Sequence, residues 1–396
     1  MKRREFLKNS ALAGMGMAFM SSLFSSCKKE DEVIDVKFSG KVLIIGAGAS
    51  GLMAAYMLNQ YNIDFEIIEA SGVFGGRVKK IDNFADFPID LGAEWIHDEP
   101  SIFGRLINDD NVQGSIDLIT YQPDTLHGWN NNTLYKHNWA RPFYSEYKFK
   151  RTTWYDFLAD YIAPKVMHNI RYNSPVKEIN YTGAQVVVTD TNNNTYQGDR
   201  VIVTVPTPVL QQNTINFLPD LPADKKTAFS ELYTPDGIKV FIEFSERFYP
   251  DILLMGPLIG DTAQEKIFYD AAFRKDANRH VLGLFCVGDG ATEYVNLSDQ
   301  AIFTKIMGEL DTIYDGKATQ YYLKHVIQNW SAEPYILGSY THHSSGGEAQ
   351  RIGVMNEPVD NKVYFAGEAY SEEAAATVHG AGLSAYNTVR NLLQQA

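Results

Sequence analysis

Three glycines near the start of the chain have the spacing of a loop that binds a diphosphate. Gly46, Gly48 and Gly51 stand in the pattern Gly-x-Gly-x-x-Gly, with Ala49 and Ser50 before the last glycine. Gly46 permits a tight turn, Gly48 lets the backbone approach an anion, and Gly51 lets a helix pack closely on a strand. A helix that begins here directs its unpaired N–H groups and its partial positive charge at the anion. The spacing therefore predicts a dinucleotide-binding loop.

The residues around these glycines predict the β-α-β unit that must hold them. Residues 41–45 are an apolar run typical of a buried parallel strand, and Leu52 to Leu58 continue with helical spacing. A second apolar run, residues 65–68, ends at Glu69. A carboxylate at this point can accept hydrogen bonds from both ribose hydroxyls and repels a 2′-phosphate, so NADP is not expected. The motif alone does not separate NAD from FAD.

Several later segments carry a more specific signal. They are Glu69-Ala70 followed by Gly75-Gly76-Arg77, Asp90 to His97, a predicted hairpin from Val176 to Asp190, the strand-like residues 199–206, Trp330 to Tyr340, Val363 to Glu368, and Thr377-Val378-His379-Gly380-Ala381. In this order they resemble the flavin-containing amine oxidases, the family of monoamine and polyamine oxidases, and the last segment resembles the polyamine oxidase branch most. Val73 departs from the family pattern, which has an arginine at that position.

The resemblance implies an α/β fold, α+β overall, in two domains. A Rossmann-like FAD-binding domain with a β-meander is expected from residues 41–96, 165–222 and 341–396. Residues 97–164 and 223–340 are expected to form a substrate domain of mixed sheet and helices. The part between His97 and Val176 is shorter than in typical family members, which leaves the shape of the substrate cavity open.

FAD is the cofactor that the resemblance implies. Ser339 stands where monoamine oxidases have the cysteine that bonds to the flavin, so the FAD is expected to be non-covalent. Arg77 can pair with the diphosphate, and the helix that begins after Thr377 suits a negative charge on the flavin ring. The residues expected to bind FAD are Gly46, Gly48, Ala49, Ser50, Gly51, Glu69, Ala70, Gly76, Arg77, Gly92, Ala93, Glu94, Trp95, Val176, Trp330, Tyr335, Gly367, Glu368, Thr377 and Val378.

Lys239 and His97 are the catalytic residues that the resemblance implies. Residues 237–244 predict a strand, and family members use a lysine on the matching strand to hold a water near flavin N5. Without the resemblance, the sequence favours a solvent-exposed lysine at a strand edge for Lys239 and a structural histidine for His97. The expected reaction is hydride transfer from the amine α-carbon to flavin N5, hydrolysis of the imine, and reduction of oxygen to hydrogen peroxide.

Three other functions stay open beside amine oxidation. The same architecture serves L-amino-acid oxidases and desaturases, and an amino acid would need an arginine such as Arg141 or Arg274 for its carboxylate. A flavin-binding protein without amine turnover is the second. An NAD-dependent dehydrogenase is the third, and the C-terminal flavin segment argues against it.

Composition and charge limit the partners further. The 396 residues contain 35 Lys and Arg against 48 Asp and Glu, a net charge of −13, which argues against nucleic-acid binding. Two cysteines, Cys27 and Cys286, exclude a disulfide framework, and the sequence predicts no metal site. Twelve aromatic residues between Leu118 and Tyr161 suit either a cation-binding wall or ordinary packing. The expected partners are a small-molecule amine and oxygen.

The first residues resemble an export signal. Arg3-Arg4 and the following Phe6-Leu7-Lys8 resemble a twin-arginine signal, and an uncharged stretch leads to Ser25-Ser26-Cys27, which resembles the end of a lipoprotein signal. We expect residues 1–26 to be a signal peptide, Cys27 to carry a lipid anchor, and residues 27–40 to be a polar tether. This predicts a periplasmic or membrane-tethered lipoprotein, with a single membrane-anchor helix as the alternative.

Overall fold

The computed structural model describes residues 34–108, 112–137, 146–256, 265–343 and 346–395. The expected signal peptide, Cys27 and Arg141 lie outside these ranges. Within them, the strands in chain order are β1 Lys41–Ile45, β2 Asp64–Ile68, β3 Lys80–Ile81, β4 Ile89–Asp90, β5 Trp95–Ile96, β6 Leu118–Tyr121, β7 Leu126–Asn130, β8 Thr133–His137, β9 Glu146–Phe149, β10 Ile170–Arg171, β11 Val176–Asn180, β12 Val186–Asp190, β13 Thr195–Gly198, β14 Arg200–Val203, β15 Asn216–Leu218, β16 Leu232–Tyr233, β17 Gly237–Phe244, β18 Ile252–Met255, β19 Lys266–Asp270, β20 His280–Val287, β21 Tyr322–Asn329, β22 His342–His343 and β23 Val363–Phe365.

Helices connect these strands. The α-helices of the described ranges are Ala49–Gln60, Ile102–Ile107, Trp154–Phe157, Ala163–Val166, Thr207–Gln211, Ala223–Ser230, Asp289–Val295, Asp299–Tyr314, Lys317–Tyr321, Glu348–Asn356 and Val378–Gln394. A π-helical turn, Leu158–Ile162, and 3₁₀ turns at Val112–Ser115, Met167–Asn169 and Glu368–Tyr370 complete them. In the described part of the chain, no helix is both long and apolar enough to cross a membrane.

A five-stranded parallel sheet forms the first layer, in the order β10-β2-β1-β14-β23. Its central strands β1 and β14 are almost entirely buried, as expected where helices cover both faces of a parallel sheet. The helices Ala49–Gln60 and Val378–Gln394 pack on this sheet and on each other. The predicted β-α-β unit is therefore present, and the first and last segments of the chain meet in one layer.

The predicted hairpin is also present. Strands β11 and β12 pair antiparallel, and β13 and β15 extend them to the sheet β13-β12-β11-β15. Together with the parallel sheet, this meander confirms the α/β architecture that the sequence predicts.

A seven-stranded sheet forms the second large layer, in the order β21-β17-β20-β19-β18-β7-β8. All eight residues of β17 are buried, and they alternate between two cores because side chains of a strand point to opposite faces. Ile238 and Val240 pack beneath the helix Asp299–Tyr314. Phe241 packs on the other face, in a core that includes Trp95 and Tyr269. Lys239 belongs to this second face.

Residues 34–40, the part of the expected tether that the structure describes, belong to the folded domain. Ile34 and Phe38 are buried, and the N–H of Lys37 donates to the carbonyl oxygen of Leu393 at 2.8 Å. The guanidinium of Arg200 lies 4.4 Å from the centre of the Phe38 ring. Residues 34–40 are thus held by apolar burial and backbone hydrogen bonds, in contrast to the polar tether expected for residues 27–40.

Candidate active site

One cavity of about 1010 Å³ is lined by nearly all of the site residues that the sequence predicts. Lys239, His97 and every residue expected to bind FAD, except Gly51, line it. Gly51 lies behind the wall, where a Cβ would stand 2.0 Å from the Gly46 carbonyl oxygen. This position matches the close helix–strand packing expected of that glycine.

The glycine loop presents open backbone to the cavity. A Cβ added at Gly48 would meet nothing within 4 Å, although Gly48 lines the cavity. Gly48 also caps the helix Ala49–Gln60, whose first N–H groups have no side-chain cap. Ser50 Oγ is buried and has no hydrogen-bond partner among the described residues. Unpaired donors at a helix N-terminus beside open space fit a diphosphate.

Glu69 holds the glycine loop against the end of β2. Its Oε2 accepts a hydrogen bond from the N–H of Ala47 at 2.5 Å, and its Oε1 accepts from the N–H and the hydroxyl of Ser71, both at 2.8 Å. A carboxylate offers about four acceptor positions, so at least one remains for a ribose hydroxyl. Val73, in place of the family's arginine, is 63% exposed at the edge of the cavity and brings no charge to it.

Arg77 and Glu368 form an ion pair in the cavity wall. Arg77 Nη1 donates to Glu368 Oε1 at 2.9 Å and to the Ser339 carbonyl oxygen at 3.0 Å. Glu368 also accepts from the N–H and the hydroxyl of Thr341 and from the N–H of Ala376. Burial alone would raise the pKa of Glu368, but the Arg77 guanidinium and the Thr341 hydrogen bonds hold that pKa below its ordinary value. The carboxylate is therefore ionised at neutral pH.

The last helix begins at the same cavity. Thr377 is its N-cap, and the Thr377 hydroxyl accepts a hydrogen bond from the N–H of Gly380 at 2.9 Å. Thr377 and Val378 line the cavity. The N-terminal end of this helix thus contributes partial positive charge, which favours an anionic group beside it.

Lys239 is buried, so the interpretation as a solvent-exposed strand-edge lysine is wrong. It is 3% exposed, and its Nζ donates to the carbonyl oxygens of Asp90 at 2.8 Å and Gly92 at 3.0 Å and to Glu94 Oε2 at 2.8 Å. The three N–H groups of a protonated lysine are all used by these contacts. Burial lowers the pKa of Lys239 from its ordinary value, and the Glu94 carboxylate opposes part of that shift.

His97 is oriented by a buried carboxylate. Its Nδ1 lies 2.8 Å from Glu146 Oε1, and the Glu146 side chain is 1% exposed whereas that of His97 is 33% exposed. Because Nδ1 faces Glu146, Nε2 is the ring nitrogen left for a ligand in the cavity. The arrangement can hold His97 in a fixed tautomer and accept or donate one proton.

Aromatic side chains form much of the remaining wall. Trp330, which donates from Nε1 to the Leu91 carbonyl oxygen at 3.0 Å, and Tyr335 were expected from the sequence. Phe285 and Tyr340 were missed: their rings are near-parallel with centroids 6.4 Å apart, and both line the cavity. Phe285 lies opposite Lys239 in the register of β17 and β20, a relation that only strand pairing reveals. Tyr340 closes the Trp330 to Tyr340 segment, so its position in that segment was an available signal.

The described aromatic residues between Leu118 and Tyr161 mostly pack the core. Trp154 is fully buried and its Nε1 donates to the Trp95 carbonyl oxygen at 3.3 Å. Tyr121 is also fully buried, edge-on to Trp95. Of the described members of this set, Tyr155 lines the cavity. Arg274, considered for an amino-acid carboxylate, is not a lining residue and lies 3.6 Å from Asp124.

The donor set of this cavity fits FAD. Gly48, Ser50 and the N-terminus of the helix Ala49–Gln60 offer unpaired donors for a diphosphate. Glu69 offers an acceptor for a ribose hydroxyl. The N-terminus of the helix Val378–Gln394 and Lys239 offer positive charge for the flavin ring. These residues come from different ends of the sequence, yet all of them line one space.

Comparisons with known proteins agree with this geometry. The sequence profile described as flavin containing amine oxidoreductase matches residues 137–393, and that of an NAD(P)-binding Rossmann-like domain matches residues 44–109. Probable polyamine oxidase 4 of Arabidopsis thaliana is 24% identical, with 88% of this chain and 86% of that protein covered. Lysine-specific histone demethylase 1B of Mus musculus is 28% identical over 54% of this chain, and the match spans only 26% of that longer protein.

Solved structures share the fold. Cyclohexylamine oxidase from Brevibacterium oxydans superposes with a TM-score of 0.75 at 14% identity, covering 90% of this chain and 99% of that one. A redesigned putrescine oxidase superposes with a TM-score of 0.74 at 15% identity and the same coverage. The amine oxidoreductase profile matches well over half of the chain, with the Rossmann-like profile ahead of it. The chain therefore belongs to the family of flavin containing amine oxidoreductases, the flavin-dependent amine oxidases.

Proposed function

We propose that this enzyme, with non-covalent FAD as its cofactor, oxidises a carbon–nitrogen bond of a small-molecule amine and passes the electrons to oxygen, releasing hydrogen peroxide. The observation that carries this proposal is the shared cavity. A buried lysine, an oriented histidine and an aromatic wall line the same space as the glycine loop. FAD supplies the hydride acceptor when bound, and the residues of the chain bind, orient and move protons around it.

Lys239 is suited to proton transfer near the reacting carbon. Burial lowers its pKa, which favours release of a proton, and a deprotonated amine keeps two N–H donors and gains one lone pair. In that state Lys239 can remain bonded to two of its three protein acceptors and accept a hydrogen bond from a water. Such a water can hydrolyse the imine that amine oxidation leaves.

His97 is suited to orient the substrate amine. With Nδ1–H donating to Glu146, a neutral ring presents the Nε2 lone pair to the cavity, and a protonated ring presents an N–H there. The aromatic wall of Trp330, Phe285 and Tyr340 supplies apolar contact and cation–π attraction for an alkyl ammonium group. Several relatives and structural neighbours are named polyamine, putrescine or cyclohexylamine oxidases, and this supports an amine as substrate.

L-Amino-acid oxidation is the second candidate. Arg105 lines the cavity and is exposed, so it offers a cation for a substrate carboxylate. Arg77 also lines the cavity but already pairs with Glu368. An amine without a carboxylate requires neither contact, and for this reason we favour the amine.

The test is a substrate panel on the full-length, FAD-loaded protein. Polyamines, monoamines and L-amino acids are mixed with the protein, and flavin bleaching without oxygen and peroxide release in air are measured. We expect bleaching and peroxide with one or more amines. Bleaching without peroxide would exclude oxygen as the acceptor, and bleaching by amino acids alone would replace amine oxidation by the second candidate. If no member of the panel reduces the bound flavin, the proposed activity is excluded.

We further propose that the enzyme is exported and tethered through Cys27. The twin-arginine-like start and the Ser25-Ser26-Cys27 sequence support this proposal. Replacing Arg3 and Arg4 by Lys should retain the precursor inside a bacterial cell. Cys27→Ser should move the exported protein from the membrane fraction to the soluble fraction. An unchanged membrane fraction would contradict lipid attachment at Cys27.

A further inference from the structure

Glu94 is shared between two buried lysines. Its Oε2 accepts from Lys239 Nζ at 2.8 Å and from the Tyr269 hydroxyl, and its Oε1 lies 2.6 Å from Lys148 Nζ. Both lysine side chains and the glutamate are at most 4% exposed. Glu94 and Lys239 line the cavity, whereas Lys148 lies behind Glu94 and is not a lining residue.

Three aromatic rings enclose Lys148. Its Nζ lies 4.8 Å from the centre of the Tyr121 ring, 4.9 Å from that of Tyr269 and 5.3 Å from that of Trp95. Ring faces attract a cation without supplying a counter-charge. Glu94 is therefore the anion that the structure places against this buried ammonium group.

The two lysines share one carboxylate. Burial, and next the Glu94 carboxylate, raise the pKa of Asp90 well above its ordinary value. Lys239 contacts only the backbone carbonyl oxygen of Asp90, and Asp90 Oδ1 has no hydrogen-bond partner among the described residues. Burial alone would raise the pKa of Glu94, but Lys148 and Lys239 hold that pKa far below its ordinary value. Two ammonium groups contact the Glu94 carboxylate directly. Lys275 faces the same groups, and burial, with Lys148 as the next cause, lowers the pKa of Lys275 to about 8.

We propose that Lys148 is a positioning residue that acts through Glu94: it compensates the Glu94 charge, so that the positive charge of Lys239 remains effective in the flavin cavity. The inference rests on the proposed function, in which FAD binds in the cavity that Lys239 lines. Without Lys148, Glu94 would neutralise Lys239, and the cavity would lose one unit of positive charge. An anionic reduced flavin, or an anion added to the oxidised flavin, is then less stable.

Sulfite is the probe, because it adds to oxidised flavin and leaves a negative charge on the ring. Its dissociation constant is measured by flavin bleaching of the full-length, FAD-loaded protein, and the potential of the bound FAD is measured beside it. For Lys148→Met we expect about tenfold weaker sulfite binding and a more negative potential, since one nearby charge is lost. Lys148→Arg, which keeps the charge, should bind sulfite nearly as the unaltered protein does.

Lys150→Met is the matched control. Lys150 follows the same strand, is half-buried and pairs with Asp276 at 2.9 Å, away from Glu94. The Lys150→Met variant should therefore bind sulfite with the affinity of the unaltered protein. If Lys148→Met binds FAD and keeps the sulfite affinity and potential of this control, the proposed role of Lys148 is overturned.

A double variant separates action through Glu94 from a direct effect of the Lys148 charge. Lys148→Met with Glu94→Gln removes both charges of the pair and leaves Lys239 as the uncompensated cation, so it should restore sulfite affinity toward that of the unaltered protein. If the single variant does not fold, the sulfite affinity of the double variant is compared directly with that of the unaltered protein. A tenfold loss that persists in the double variant would contradict action through Glu94. Because sulfite is not an amine, these results do not depend on whether any amine of the panel is a substrate.

Discussion

Arg77 and Glu368 are 291 residues apart in the sequence and 2.9 Å apart between Nη1 and Oε1 in the structure. The pair joins the segment after β2 to the segment after β23, and both residues line the cavity. Arg77 is therefore a structural partner of the C-terminal segment as well as a candidate diphosphate contact.

Arg77→Met should lower both the stability of the apoprotein and its affinity for FAD. Glu368 keeps its hydrogen bonds from Thr341 and Ala376 but loses its cation, so we expect about 2–3 kcal/mol lower free energy of unfolding. FAD affinity should fall by at least about tenfold. Denaturant unfolding and FAD titration measure these effects. Lys79→Met is the control, because Lys79 forms a more exposed pair with Glu333 and should change stability by less than about 1 kcal/mol. Equal effects of the two variants would contradict a structural role for the Arg77 pair.

Glu368→Gln should alter how stability depends on pH. The pKa of Glu368 is lowered in the folded state, so its contribution is present above the ordinary carboxylate pKa of about 4.3 and is lost as pH falls through the folded value. At pH 7 the unaltered apoprotein should be more stable than the variant by about 1.5–3 kcal/mol. That difference should shrink as the pH falls below about 4. A difference that is constant from pH 7 to pH 3 would show that the carboxylate charge is not involved.

Two glycine substitutions should separate cofactor binding from packing. In Gly48→Ala the new Cβ meets open cavity and only the helix cap is weakened, so we expect the apoprotein to lose at most about 1 kcal/mol but FAD affinity to fall by about tenfold or more. In Gly51→Ala the Cβ stands 2.0 Å from the Gly46 carbonyl oxygen, so the apoprotein itself should lose about 1–3 kcal/mol or more. Thermal unfolding without FAD and FAD titration distinguish the two variants. A Gly48→Ala protein with unchanged FAD affinity would place the diphosphate elsewhere.

Lys239→Met should abolish most amine oxidation while FAD remains bound. Loss of the buried cation and of its proton transfer should lower the rate of flavin reduction by roughly 10²–10³-fold. Lys324→Met is the matched control, because Lys324 lies on the neighbouring strand, pairs with Glu243 at 3.2 Å and is 49% exposed. Stopped-flow reduction by the best amine of the panel measures both. Unchanged reduction in Lys239→Met would remove Lys239 from the mechanism.

The flavin should leave the protein completely on denaturation. Ser339 lines the cavity, and its hydroxyl donates to the Pro235 carbonyl oxygen at 2.9 Å, so the position offers no thiol for a bond to the ring. Cys286 also lines the cavity, but burial raises the pKa of its thiol to about 12, which keeps it a poor nucleophile. Acid precipitation should leave a colourless pellet and all FAD in the supernatant. Flavin retained in the pellet would show a covalent bond.

Much of the site could be predicted because its signals are local. The glycine loop, β1, β2, Glu69 and the helix after Thr377 follow from residue spacing and strand periodicity over short stretches of chain. These features depend on backbone geometry and on patterns of burial, which neighbouring residues determine.

Only the tertiary structure decided which side chains share one space. The sequence left Lys239 open between solvent and cavity, and the register of β17 with β20, together with Asp90 and Gly92, places it inside. It also did not reveal that Lys148 would stand against Glu94 among three aromatic rings. Such contacts join residues that are distant in the sequence. They are determined by strand pairing and by the need to compensate buried charge, and neither leaves a local pattern in the chain.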